Sequence, residues 1–94
     1  MKLVWTSEAL HDLERAHDYI ADRDETAAAA LVTRILDAVE HLSEHPDMGR
    51  PAKEEGVRDF VVSGTKYLMP YIVRGEAIVL LAVLHGARER PELP

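Results

Sequence analysis

The segment VRDFVVSGTKYLMPYIVRGEAIVLLAVLH, residues 57–85, has the period of strands. VRDFVV (57–62) and YLMPYIV (67–73) are short runs rich in β-branched and aromatic residues, and the turn Ser63-Gly64 lies between them. Arg74-Gly75-Glu76 makes a second tight turn into AIVLLAVL (77–84), which is apolar at consecutive positions and therefore expects cover on both faces. These runs predict three antiparallel strands, the last of them central. Pro70 cannot donate to a ladder, so it predicts a bulge or an edge position within the second run.

Upstream of this segment the period becomes helical. Residues 52–56 are polar and PDMGRP (46–51) reads as a loop, with Pro46 stopping whatever precedes it. From Ala27 to His45 there is neither Gly nor Pro. Ala28, Leu31, Ile35, Ala38 and Leu42 form one stripe, and Val32, Leu36 and Val39 form a second beside it. Two stripes predict a helix wedged between two layers, with Asp24 as its N-cap. An earlier helix, capped by Thr6 or Ser7, carries the stripe Ala9, Leu13, Ala16 and Ile20. Its acids, Asp12 among them, read as a solvated surface. KLVW (2–5) is a short strand. The order β-α-α-β-β-β predicts an α+β fold, a helical hairpin packed on a small antiparallel sheet, in one domain over residues 1–94.

The totals restrict function. Cysteine is absent, which removes disulfides and thiolate metal sites and points to a reducing compartment. No apolar run is long enough for a bilayer, and MKLVW lacks the apolar core of a signal peptide, so a cytoplasmic protein without membrane contact is expected. The net charge is −6, and it is lopsided. Residues 1–46 hold 4 Lys and Arg against 10 Asp and Glu, whereas residues 47–94 hold 7 against 7. A general polyanion binder needs the reverse, because its affinity rests on neutralising phosphates. Any nucleic-acid contact must be local and confined to the second half.

Few motifs carry chemistry. HLSEH (41–45) has the H-x-x-E-H spacing of a zinc site, but Pro46 follows at once and no downstream helix offers a further carboxylate. His11 and His17 are six apart and do not share a helix face. No metal and no cofactor is expected. There is no glycine-rich phosphate loop and no nucleophile elbow. What remains is Arg50, Arg58, Lys66, Tyr67, Tyr71, His85, Arg88 and Arg90. If the three strands are neighbours, some of these converge on one face or its edge. Metal-free RNA cleavage would then find a proton-transfer group in His85, charge in Arg58 and Arg88, and a stacking platform in Tyr71. The structural alternative is half-buried tyrosines, solvated arginines and a histidine ending a strand.

Across its length the chain resembles the ParE/RelE superfamily of type II toxin–antitoxin toxins, and more closely the ParE-like, plasmid-stabilisation branch. The resemblance rests on WTSEALHDL (5–13), Tyr19-Ile20, the alanine-rich second helix, PDMGR (46–50), YLMPYIV (67–73) and VLHGAR (83–88). It implies a growth-inhibiting toxin, bound in a hetero-oligomer by a cognate antitoxin that wraps it as it folds. RelE-like members cut mRNA on the ribosome with a basic cluster and a C-terminal Tyr or His. ParE-like members lack that cluster and inhibit DNA gyrase. No aromatic residue follows His85 here, and basic residues are few. The expectation is therefore a gyrase inhibitor that works by contact, with Arg50, Arg58, Tyr67, Tyr71, His85, Arg88 and Arg90 as partner-binding residues. Two alternatives stand beside it. One is a metal-independent mRNA endonuclease with His85, Arg88, Arg58 and Tyr71 as catalytic residues. The other is a degenerate toxin kept as an antitoxin-binding module.

Overall fold

The computed structural model describes residues 1–86. Strand β1 (Lys2–Trp5) leads into helix α1 (Ser7–Ala21), and a short turn joins it to α2 (Glu25–Glu44). Both helices start on the caps that the sequence offers. Thr6 has an extended backbone and its Oγ1 accepts from the Ala9 amide at 3.1 Å. The Thr6 hydroxyl also donates to the Leu80 carbonyl at 2.8 Å, so the start of α1 is tied to the sheet. Asp24 Oδ1 accepts from the Ala27 amide at 3.0 Å and opens α2. Pro46 follows directly on His45, the C-cap of α2.

The remaining strands are β2 (Arg50–Pro51), β3 (Arg58–Val61), β4 (Tyr67–Arg74), β5 (Ala77–Leu80) and β6 (Leu84–His85). Their order in the sheet is β1-β5-β4-β3-β2, with β6 paired to β4 beyond the end of β5. The expected helical hairpin on a sheet is present, and the three hairpin-linked strands are antiparallel. The sheet is nonetheless mixed, because β1 runs parallel to β5 with Leu3 opposite Ile78 and Trp5 opposite Leu80. A tight turn forces antiparallel pairing, whereas a long crossover permits a parallel one. Residues 6–76, which carry both helices and strands β2 to β4, form that connection here. The loop expected at PDMGRP also contains β2, whose Arg50 and Pro51 lie opposite Asp59 and Arg58 of β3. Two residues leave no periodic signal, and Pro51 costs little on an edge.

Pro70 sits in β4, the middle strand, and the bulge lies across from it. Tyr71 pairs with Leu80 and Leu68 with Leu84. Between those pairs Met69 and Pro70 face three residues, Leu81, Ala82 and Val83. The Pro70 carbonyl accepts from the Leu81 amide at 2.9 Å, so the position lacking N–H also faces this interruption. The single strand expected over Ala77–Leu84 is therefore split in two. The Val83 amide freed by the bulge donates to Asp12 Oδ2 of α1 at 3.0 Å. Asp12, whose side chain is 12% exposed and also pairs with Arg15, thus holds the sheet rather than facing solvent.

The core lies between the helices and one sheet face. Ala9 and Ala16 of α1 and Leu31, Ile35, Val39 and Leu42 of α2 meet Phe60, Tyr67, Met69, Tyr71, Ile78 and Leu80. The second stripe of α2 is only partly used: Val39 is buried, but Leu36 is 44% exposed. Both helices occupy one layer, and among the described residues no second layer covers Leu36. On the opposite sheet face the register aligns Val4, Val79 and Ile72 in one row and Val61, Leu68 and Leu84 in another. Val61 is exposed and the other five are half-buried.

Candidate functional site

The structure separates the candidate residues into two groups. Arg58 and Tyr71 are register partners across β3 and β4, as convergence on one face requires. Their side chains, however, hold a loop. The Tyr71 hydroxyl, fully buried, donates to the Pro46 carbonyl at 2.6 Å and accepts from the Gly49 amide at 2.9 Å. Arg58 Nη1 donates to the Gly49 carbonyl at 2.6 Å and reaches the Asp47 carbonyl at 3.5 Å. Burial pushes the phenol of Tyr71 above its ordinary pKa, and the Gly49 amide and the Arg58 charge only partly oppose this. A stacking platform needs an open ring face, and Tyr71 has none. This corrects the expectation of Tyr71 as a stacking platform. Gly49 fits for a steric reason: a Cβ there would lie 2.5 Å from Tyr71 Cε1. Arg50, on the edge strand β2, is exposed.

The second group lies at the other end of β4. Tyr67 pairs with His85 of β6, and their rings meet edge to face with centroids 5.4 Å apart. Tyr67 is buried, while His85 is half-buried with a buried Nδ1 that has no hydrogen-bond partner among the described residues. Tyr67 and Tyr71 are four strand residues apart, roughly 13 Å at the rise of an extended chain. Arg58 and His85 therefore do not share one site. Arg88 and Arg90 lie outside the described residues.

His85 and Tyr67 line a groove of about 570 Å³ where the end of α1 and the start of α2 approach the β3–β4 turn. Its apolar wall is Tyr19, Ile20, Ala27, Ala30 and Leu31. Arg34 and Lys66, both exposed, add positive charge to it. Arg34 Nη1 donates to the Ser63 carbonyl at 3.2 Å and packs against Gly64, whose φ of 78° favours glycine. Arg34 escaped the sequence reading, although it is the one Lys or Arg in α2 and sits three residues past the buried Leu31. The groove can take an apolar segment and meet its acidic groups with two cations. His85 stands against the Tyr67 ring in this lining, which also holds Lys66 and, among the described residues, no carboxylate.

Known proteins resemble this chain in sequence and in fold. The family model described as the ParE toxin of the type II toxin–antitoxin system parDE matches residues 3–90. A curated relative, "Putative toxin Y4kP" of Sinorhizobium fredii, is 34% identical over 92 residues, covering 98% of this chain and 95% of its own. "Toxin RelE2" of Caulobacter vibrioides is 33% identical over 87 residues, covering 93% of this chain and 97% of its own. Among solved structures, "Chromosomal ParDE TA system from P. aeruginosa" aligns with a TM-score of 0.81 and 28% identity over 90% of this chain and 95% of that one. Sequence and fold agree over nearly the whole length, and the chain belongs to the ParE toxin family of type II toxin–antitoxin systems.

Proposed function

We propose that this toxin arrests growth by gripping a protein, with DNA gyrase as the target that the ParE branch implies, and that it does not cut RNA. One observation supports this reading above the rest: Tyr71 and Arg58, two of the groups a nuclease would need, are engaged with the 46–49 loop and lie far from His85. RNA cleavage requires proton transfer and charge stabilisation at a single phosphate. Purified gyrase assayed for supercoiling with and without the protein tests the proposal. Inhibition is the expected result, and unchanged supercoiling at large molar excess overturns it.

The cognate antitoxin is proposed to occupy the groove beside His85. Its apolar wall and the Arg34 and Lys66 cations suit a segment that alternates aliphatic and acidic residues and orders as it binds.

A second reading, ribosome-dependent mRNA cleavage, draws support from the relatives named RelE2 and RelE3 and from His85 with Lys66 and Arg34 in one groove. Codon-specific cleavage in a translating extract that disappears in His85→Ala would establish it and displace gyrase. Growth unaffected by induced expression would instead favour a chain retained as an antitoxin-binding module.

A further inference from the structure

The last turn of α2 and its cap residue bring together His41, Glu44 and His45, all exposed. One possible ligand atom from each lies within 4.8 Å of the others. The two imidazoles are already neighbours, their centroids 4.8 Å apart and their planes tilted by 58°. A third ligand stands inside the motif rather than on a downstream helix. Glu44 is three residues after His41 and adjacent to His45, and the end of the helix swings His45 back toward both.

We propose that His41, Glu44 and His45 form a binding site for a divalent transition-metal ion, with Zn²⁺ as the best fit. Two imidazole nitrogens and one carboxylate oxygen suit zinc and its first-row neighbours, whereas calcium and magnesium prefer all-oxygen shells. A tetrahedral ion with ligand bonds of about 2.0–2.1 Å needs its donors about 3.3–3.4 Å apart. Exposed side chains reach that spacing from 4.8 Å by small rotamer changes. The electrostatics agree. The carbonyl end of a helix carries partial negative charge, and the chain as a whole is at −6. Three protein ligands leave a tetrahedral ion one position for water or for a donor from a bound partner. The ion would also fasten the end of α2 to the residue before Pro46, whose carbonyl takes the Tyr71 hydroxyl.

Titrating the tag-free full chain with Co²⁺ and then Zn²⁺ tests this. One Co²⁺ per chain should bind, with a visible ligand-field band that Zn²⁺ removes, and Zn²⁺ should raise the thermal midpoint. His41→Ala or His45→Ala should weaken binding by at least about 10-fold, the loss that even outer-shell partners of bound metals cause. Glu44→Gln should weaken it too, while His11→Ala and His17→Ala should not. Circular dichroism confirms that these exposed replacements leave the fold intact. An adventitious ion only, meaning no saturable binding or equal binding by His41→Ala, His45→Ala and the parent chain, overturns the site.

Discussion

Tyr71 shows how a single side chain can look functional and be structural. Its hydroxyl satisfies two backbone groups of the 46–49 loop, so Tyr71→Phe leaves both short of a partner in a buried place. A loss of about 1–3 kcal/mol is expected, read as a lower urea midpoint. Gly49→Ala forces a methyl group against the same ring and should cost about 1–3 kcal/mol. The phenol gives a pH signature as well. Its pKa is raised in the folded chain above the value of 10.0 that the unfolded chain supplies. The unfolded state therefore loses its proton first, and the native state is favoured fully below that pH and progressively less above it. Stability should fall as pH climbs past about 10, more steeply in the parent chain than in Tyr71→Phe. Urea titrations of both chains across that range check the sign.

Elements were legible to different depths, and physics explains the difference. The hairpins in residues 57–80 stand out because short β-branched and aromatic runs meet glycine turns, and both helices stand out because their stripes and caps agree. The break at Leu81–Val83 left no trace, since Leu, Ala and Val read the same in a strand and in a bulge. Asp12 was opaque for the same reason. An acid early in a helix suggests solvent or the helix dipole, and its real partner, the Val83 amide, is 71 residues away. Asp12→Ala should cost about 1–3 kcal/mol by leaving that amide unsatisfied, whereas exposed Glu14→Ala should stay within about 0.5 kcal/mol. Thermal melts of the two variants side by side make the comparison. Among the site residues, the placing of Arg58 and Tyr71 on neighbouring strands could be read from the sequence. What those side chains hold could not, because the loop they clasp has no period.

At the scale of the molecule, an acidic chain presents, among the described residues, an apolar groove with cations on it. Arg34→Glu combined with Lys66→Glu should weaken the complex with the antitoxin by about 10-fold or more, equivalent to about 1.4 kcal/mol. Affinity of the parent complex should fall with added salt, and that dependence should flatten in the double variant. Calorimetric titration at two ionic strengths reads both, with melting temperatures as the control for folding. The parallel pairing of β1 with β5 has a consequence for synthesis. Lys2 lies opposite Ala77, so this closure spans nearly the whole chain. While translation has reached only Glu76, β1 has no mate and β4 shows a bare edge. A nascent toxin thus stays incomplete until Ala77–Leu80 have cleared the ribosome, and messages cut short before that point should yield chains whose β4 edge is unpaired on that side.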